Sequence, residues 1–372
     1  MSRHRFTPIN TNTCSHKFVS IWAHLWLNYY WFKTCAIVGA VIGITAALPA
    51  EPLQLALPTD NDALFRNDGP EFYQYVERDY QGVKSTPWEG GQYGFVRDPV
   101  DTAGGVMFSR FHEGIDIRPM HRDAQGEPLD EVRAIAAGKV VHTSLVPGYS
   151  NYGKYIVIEH QWDGSRYYSL YAHLSEIVVA PGNKVTVGQQ IGRMGHTGTG
   201  INQPRSHLHL ELNLLLSHQF DAWHRTFIPN EPNHHGIYNG LNLSGLDIAR
   251  LYLALRKDPS MTVEKFVRNE PIAYTVAIPR SSHFELPNNY PWMRTKDPGP
   301  STKSWLVSFA ASGLPVKIEP TPNAVSQPEV VWTKKAAADF KYLTRGDVTG
   351  RGKTAHLTDS GKKLMRLLIF PD

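Results

Sequence analysis

The chain has 372 residues, enough for two domains, and its 41% hydrophobic and 19% charged residues predict a mostly globular protein. Four of its 38 basic residues and none of its 34 acidic residues lie in residues 1–50, so residues 51–372 are electrically neutral. This balance argues against a nucleic-acid-binding protein, which needs a basic surface. Both cysteines, Cys14 and Cys35, lie in the first segment, so the rest of the chain has no disulfide, thiolate metal ligand or thiol nucleophile.

Residues 1–50 have the parts of a secretory signal peptide. An apolar stretch, AIVGAVIGITAALP (36–49), follows a lysine and ends in small residues. Cleavage after Ala47 or Ala50 fits this pattern, and the alternative is an uncleaved N-terminal membrane anchor formed by residues 18–49. Both interpretations predict an exported protein of the periplasm or cell envelope, and the second also anchors it in the inner membrane.

The next two segments differ in their patterning. Residues 51–103 are punctuated by proline and glycine, which predicts a linker and an N-terminal extension that wraps the following domain. Residues 104–225 alternate short runs rich in valine, isoleucine and tyrosine with glycine turns. This pattern predicts a mainly β domain, an antiparallel sandwich or barrel.

The last part of the chain, residues 226–372, is predicted to be α-rich. Apolar residues at helical spacing predict helices within 244–260, 333–346 and 357–370, the last with a threonine or aspartate cap. Nothing in this pattern assigns a function to the region.

The segment SHLHLELN (206–213) alternates polar and apolar side chains. Successive side chains of a β-strand point to opposite faces, so His207, His209 and Glu211 share one face and three leucines share the other. The leucines are predicted to belong to the core. A lone HxH motif is more often part of an ordinary half-exposed strand, so a functional interpretation needs support from the rest of the chain.

Two further segments give that support. In FHEGIDIRP (111–119), His112 and Asp116 share a strand face opposite two isoleucines, and SLYAHLSEI (169–177) places His173 beside a tyrosine. Catalytic zinc takes three nitrogen or oxygen ligands, and in a region without cysteine two histidines and an aspartate are a natural set. Zinc-activated water would attack a carbonyl group, with spare histidines orienting the water or holding the oxyanion. No HExxH motif occurs in the chain, so a zinc protease of that type is not supported.

The motifs HEGID, YGKYIVIEH, YAHLSEI, GQQIGRMGHTG and SHLHLELN have an order and spacing that resemble those of the lysostaphin-type (LytM-like) zinc metallopeptidases, which cut peptidoglycan cross-links. The resemblance covers residues 104–216. It implies a small antiparallel β-sheet fold with the zinc ion in a groove, and peptidoglycan stem peptides as the partner.

The resemblance also implies the site. His112, Asp116 and His209 match the family's zinc ligands, with one zinc ion per chain. His173 and His207 match the catalytic histidines, which stabilise the oxyanion or shuttle the proton. The predicted function is therefore that of an exported zinc-dependent endopeptidase.

Other residues of the motif region receive less specific interpretations. Tyr149 and Asn151, in the loop PGYSNYG, are predicted to line the groove and bind substrate, together with Glu211. The alternative for Glu211 is a solvated carboxylate or one that supports a metal ligand. His142, His160 and His196 are predicted to be structural. His234 and His235 lie outside the motifs and are predicted to be a loop pair, with a groove contact as the alternative.

The chain departs from the family pattern in two places. The family usually continues from its HxGxD motif through a short Gly-Thr-Pro turn, whereas residues 120–134 form a longer, charged segment. The loop INQPR (201–205) replaces the usual small-residue turn before the HxH motif. Both differences bear on which cross-link is cut.

Two other classes of function remain open from the residues alone. One is a non-hydrolytic cell-wall-binding or activator module of the same fold, which the intact ligand set argues against. The other is a zinc-dependent regulator or carrier, which would need a site closed to water. The bond that is cut, cleavage of the leader, autoinhibition of the groove, the role of residues 240–372 and the oligomeric state are not predicted.

Overall fold

The structure is a computed structural model that describes residues 52–372, so the predicted export leader lies outside the described residues. Within that range, no helix has both the length and the apolar composition needed to cross a membrane.

Short helices and antiparallel strands alternate along the described chain. The elements up to the first metal-ligand motif are helix α1 (Gly69–Phe72) and strands β1 (Arg78–Tyr80), β2 (Val83–Ser85), β3 (Gly94–Thr102) and β4 (Gly105–His112). The next group is β5 (Ile115–Ile117), β6 (Glu131–Arg133), β7 (Gly138–Ser144), β8 (Tyr155–Trp162), β9 (Ser165–Ala172), β10 (Glu176–Ile177), β11 (Lys184–Val185), β12 (Gln190–Arg193), β13 (Leu208–Leu215), α2 (Phe220–Phe227) and β14 (Leu243–Leu246). The last group is α3 (Ile248–Lys257), α4 (Val263–Arg268), β15 (Ile272–Pro279), α5 (Leu286–Asn289), β16 (Ser304–Ala310), β17 (Pro315–Thr321), β18 (Glu329–Thr333), β19 (Val348–Thr349), β20 (His356–Leu357) and α6 (Asp359–Ile369).

A seven-stranded antiparallel sheet forms the centre of the fold. Its strands run in the order β11-β7-β8-β9-β13-β14, and β5 also pairs with β13. A smaller antiparallel sheet has the strand order β10-β12-β6, and its strands alternate in sequence with those of the central sheet. The predicted mainly β domain with antiparallel strands is therefore confirmed.

Both faces of the central sheet are buried. On one face, Leu208, Leu210 and Leu212 are completely buried and join the main hydrophobic core, as their alternation predicts. The other face has a smaller apolar cluster that includes Tyr155 and Leu170 and is covered partly by side chains from the segment after α2. The polar side chains of β13 are therefore enclosed, and the charged ones need partners inside the protein.

The chain before the sheet leads directly into the first ligand motif. Strands β3 and β4 form a long hairpin in which Gly94 pairs with His112, the last residue of β4. The preceding segment also contacts β5, because the amide of Gln74 donates to the carbonyl of Asp116 (2.8 Å). These contacts fix the two ends of the HEGID motif.

The prediction of an α-rich C-terminal region is wrong in part. Residues 272–333 contain a four-stranded antiparallel sheet in the order β17-β16-β15-β18. Five of the eight residues of β15 are buried, and the strand lies between β16 and β18 in this sheet. Two predicted helices are present as α3 and α6, and the side chain of Thr358 caps α6 by accepting the amide of Gly361 (3.1 Å).

The helix predicted within 333–346 is absent from the described structure. The segment contains only a short turn of 3-10 helix at Phe340–Tyr342. Asp339 determines this turn, because its carboxylate accepts the amides of Lys341 (2.9 Å) and Gly350 (3.1 Å). Aspartate that bonds nearby amides in this way favours turns over helix interiors, whatever the propensity of the preceding alanines.

Candidate metal centre

Strand register brings the three histidine motifs together. Asp116 on β5 lies directly opposite His209 on β13, and Ala172 on β9 lies opposite His209 from the other side. His173 follows β9 immediately, so its side chain reaches the same region. The separated motifs of the sequence therefore meet at one end of β13.

Three ligand-type atoms converge at this point. His112 Nε2 lies 3.1 Å from His209 Nδ1 and 3.1 Å from Asp116 Oδ1, and His209 Nδ1 lies 2.9 Å from Asp116 Oδ1. All three residues are buried. Ligands about 2.0–2.1 Å from a tetrahedral zinc ion are about 3.3 Å apart, so this triangle fits a single small cation.

The other nitrogen of each ligand histidine is anchored. His112 Nδ1 lies 2.8 Å from the carbonyl oxygen of Gln92, and His209 Nε2 lies 2.8 Å from Glu211 Oε1. A proton on the anchored nitrogen leaves the converging nitrogen with its lone pair, as a metal ligand requires.

The charges of the centre also suit a cation. Burial lowers the pKa of His112, which favours the neutral imidazole. Burial acts to raise the pKa of Asp116, but His112, His207 and Arg97 together hold it well below its ordinary value. Burial likewise opposes a charge on His209, yet hydrogen bonds to Asp116 and Glu211 raise its pKa to about 10. Asp116 and Glu211, the two carboxylates that stabilise the protonated form of His209, would stabilise the positive charge of a metal ion in the same way.

The two remaining histidines face the triangle from one side. His173 Nδ1 lies 2.8 Å from the carbonyl oxygen of Thr197, and His207 Nδ1 lies 2.7 Å from that of Arg205. Their ring centroids are 4.7 Å apart, and His207 Nε2 lies 3.4 Å from Asp116 Oδ1. Burial, followed by the neighbouring histidines, lowers the pKa of His173 well below its usual value, so this imidazole is neutral.

His173 has a backbone conformation that few non-glycine residues adopt. Its φ angle is 63°, in the left-handed region, which costs about 1–3 kcal/mol for an ordinary residue. Its amide donates to the carbonyl of Tyr152 (2.9 Å), which helps to hold this conformation. Such residues concentrate at functional sites, in agreement with the predicted role.

Glu211 shares a face of β13 with His209, as predicted, but its carboxylate is not available to a substrate. It was predicted to bind substrate, but it is 1% exposed and its carboxylate is fully engaged inside the protein. Oε1 accepts hydrogen bonds from His209 and from the Tyr152 hydroxyl (2.6 Å), and Oε2 accepts one from Asn213 (2.9 Å). The alternative interpretation therefore applies, in which Glu211 supports a metal ligand.

Replacing Glu211 with glutamine is expected to weaken zinc binding about 10- to 100-fold while leaving the fold intact. The substitution removes the charge behind His209, and the amide of Asn213, whose Oδ1 has no partner among the described residues, can turn to accept the new N–H group. Zinc affinity measured by competition with a chelator tests this expectation. The matched control is E159Q, which removes a carboxylate from β8 of the same sheet, and equal zinc affinity in E211Q and wild type would contradict the assignment.

The centre opens into a cleft of about 1100 Å³. The cleft is lined by the three metal-ligand residues and by His173, His207, Tyr149 and Asn151, so the two predicted groove residues lie where a substrate could contact them. Tyr149 is 47% exposed, and its ring stacks on His234 at 3.9 Å.

The other histidines lie away from the metal triangle. His160 stacks on Trp162 and lies 2.8 Å from the carbonyl oxygen of Ala137, as a structural residue would. His196 pairs with Glu127. His142 and His235 pack against each other with ring centroids 5.6 Å apart, and only His235 of the two lines the cleft.

Three residues of the centre were missed by the sequence analysis. Arg97, on β3, donates to Asp116 Oδ2 (2.6 Å), and Tyr152 holds Glu211. Arg345, from the C-terminal region, lines the cleft and pairs with Glu113. Arg97 and Arg345 are distant in sequence from the motifs they support, so spacing carried no signal for them, whereas Tyr152 lies within the predicted groove loop, next to Asn151.

Gly114, the middle residue of the HEGID motif, has a steric role. A Cβ atom at this position would lie 2.4 Å from the carbonyl oxygen of Leu210 and 3.0 Å from His209 Cε1. The absence of a side chain therefore lets β5 approach β13 closely enough for Asp116 and His209 to meet.

Comparison with known proteins places these motifs in a wider group. The family model described as peptidase family M23 matches residues 110–221. The peptidoglycan DD-endopeptidase ShyA of Vibrio cholerae is 34% identical over 156 residues, which are 39% of this chain and 33% of that protein. The lipoprotein NlpD of Yersinia enterocolitica is 36% identical over 77 residues, which are 21% of this chain and 74% of that sequence.

Among solved structures, the catalytic domain of the antimicrobial peptidase lysostaphin from Staphylococcus simulans is 27% identical. The match covers 41% of this chain and 85% of that chain, with a TM-score of 0.24. The chain thus spans only about a third of the length of ShyA.

Proposed function

Because this chain belongs to peptidase family M23 through residues 110–221, we propose that it is an exported zinc-dependent endopeptidase that hydrolyses the peptide cross-links of peptidoglycan. The observation that carries the proposal is the convergence of three buried donor atoms beside two further histidines in one cleft. The likeness to ShyA, whose name states a peptidoglycan DD-endopeptidase, supports the substrate class.

The donor set fits zinc. His112, Asp116 and His209 would hold one ion per chain, since two imidazole nitrogens and one carboxylate oxygen are common zinc ligands and catalytic sites keep a position for a fourth. When bound, zinc supplies Lewis acidity toward a carbonyl oxygen and toward water. Arg97 donates a hydrogen bond to Asp116 Oδ2, so Oδ1 is the carboxylate oxygen that would bind the ion.

His173 and His207 supply the remaining chemistry. Each ring is fixed by a backbone carbonyl at Nδ1, which fixes the orientation of its Nε2. Groups held in this way can take a proton from the attacking water, return one to the leaving amine, or stabilise negative charge on the substrate oxygen. Their fixed orientation means that little reorganisation accompanies the reaction.

The proposed organisation follows the chain. Residues 1–50 direct export as a signal peptide or anchor, residues 51–103 wrap the following domain, and residues 104–225 form the catalytic domain. Residues 226–372 add a second sheet, and Arg345 from this region reaches the cleft. A periplasmic or envelope location agrees with the lipoprotein names of several relatives, including NlpD.

The test is the zinc content of the purified full chain and its release of fragments from purified peptidoglycan, with and without a chelator. About one zinc ion per chain and chelator-sensitive cleavage of cross-links are expected. Bound zinc without cleavage would favour a non-hydrolytic wall-binding or activator module. A chain that binds no zinc would contradict the proposal.

A further inference from the structure

We propose that Arg205 binds a carboxylate of the substrate peptide in the cleft, close to the bond that is cut. This inference rests on the proposed function and narrows its substrate class. It concerns the loop INQPR, one of the two places where the chain departs from the lysostaphin-type pattern.

Arg205 lies beside the catalytic machinery but has unused hydrogen-bonding capacity. It lines the same cleft as the metal-ligand residues, and its backbone carbonyl accepts the Nδ1 proton of His207 (2.7 Å). Its Nη1 donates to the carbonyl of Gly200 (3.1 Å), whereas Nε is buried without a partner in the described part of the chain. The guanidinium forms no ion pair with a carboxylate of residues 52–372.

The other arginines of the cleft wall are already engaged. Each has a carboxylate or an aromatic ring as its partner in the described structure. The partners are Asp116 for Arg97 (2.6 Å), Asp98 for Arg110 (3.9 Å), Glu113 for Arg345, and the Phe108 ring for Arg78 (4.4 Å). A half-buried guanidinium that lacks any such partner is suited to an anion supplied by the ligand.

The loop that carries Arg205 is held in place by the long charged segment 120–134, the second departure from the family pattern. Arg122 donates to the carbonyl of Gln203 (3.0 Å), and Gln203 Nε2 donates to Glu127 Oε1 (2.7 Å). The two unusual segments therefore form one unit. Their contacts fix the loop before substrate binds, so less entropy is lost when the guanidinium engages a carboxylate.

The chemistry of cross-links shows which substrates carry such a group. A cross-link through a diamino dicarboxylic acid keeps a carboxylate on the carbon that bears the linked nitrogen. An oligoglycine bridge has no carboxylate at the corresponding position. A guanidinium donates two parallel N–H groups to a carboxylate, and it recognises an uncharged carboxamide much less well. We therefore infer that the cleft favours cross-links of the first kind.

The experiment measures binding separately from hydrolysis. The dissociation constant of a cross-linked peptide dimer from Gram-negative peptidoglycan is measured with the full chain in the presence of a chelator, for the natural dimer and for one amidated at its carboxylates. For the wild type, amidation is expected to weaken binding about 10- to 100-fold, the range for a charge-assisted hydrogen-bonded pair. In R205Q, the natural dimer is expected to bind as weakly as the amidated one does to the wild type, with no further loss on amidation.

R110Q is the matched control, because Arg110 lines the same cleft and already pairs with Asp98. It should discriminate between the two dimers as the wild type does. If R205Q keeps that discrimination, or if the wild type binds both dimers equally, the role of Arg205 is overturned. Failure of the proposed function would appear separately, as an absence of chelator-sensitive cleavage.

Discussion

Replacing His209 with alanine is expected to abolish both zinc binding and peptide cleavage. His209 Nδ1 lies within 3.1 Å of the donor atoms of both His112 and Asp116, so its removal takes away one of three ligands. Two remaining ligands hold a zinc ion poorly, and activity that depends on the ion should fall by about 1000-fold or more.

The same substitution has a second effect, on stability. It leaves Glu211 buried without the imidazole that it now contacts at 2.8 Å, and a buried carboxylate that loses a partner destabilises the protein. H209Q is therefore measured beside H209A, because its side-chain amide can still donate to Glu211. Zinc content, cleavage of peptidoglycan and circular dichroism are compared for both variants.

H142Q is the control for these variants, since His142 lies on β7 of the same sheet and outside the metal triangle. It should retain zinc and activity. A folded H209Q protein that still carried one zinc ion per chain would show that His209 is not a ligand.

Alanine at His173 or His207 is expected to reduce peptide cleavage without removing the zinc ion. Cleavage should fall by about 100- to 10000-fold, the range for a proton-transferring group, while zinc remains bound. Neither residue belongs to the converging triangle, and His207 Nε2 is farther from Asp116 Oδ1, at 3.4 Å, than are the two ligand nitrogens.

Zinc content and cleavage rate are measured on the same preparations of the two variants. Full activity in either would exclude the assigned role of that histidine. Loss of zinc from either would instead make that residue a ligand. H196Q is a suitable control, because His196 is a partly exposed histidine that pairs with Glu127 rather than with the centre.

The alternation of SHLHLELN was sufficient to predict the faces of β13. Leu208 and Leu210 are buried in the core, and His209 faces Asp116, because a strand has only two faces and register then determines the neighbours. The convergence of the motifs on one site also agrees with the prediction. Alternation could not show that the polar face of β13 is covered as well, so that Glu211 is buried.

Most of the site residues that the sequence did not predict come from distant parts of the chain. Arg97 reaches the site from a hairpin and Arg345 from the loop before β19, and no local pattern shows where such side chains end. In the C-terminal region, helical spacing correctly predicted α3 and α6, whose apolar faces are buried. Between them, the turn set by Asp339 overrode the helix propensity of the alanines before it.

Strand β14 limits where a recombinant fragment of this enzyme can end. It pairs with Leu212–Leu215 of β13, but it lies more than twenty residues beyond the segment that matches the family model. The hydroxyl of Tyr290 also accepts the amide proton of Leu215 (2.9 Å). A recombinant fragment trimmed at residue 221 would therefore present an open, leucine-rich sheet edge, which is the kind of surface on which chains associate edge to edge and precipitate. The soluble unit of this peptidase has to extend well into the C-terminal region.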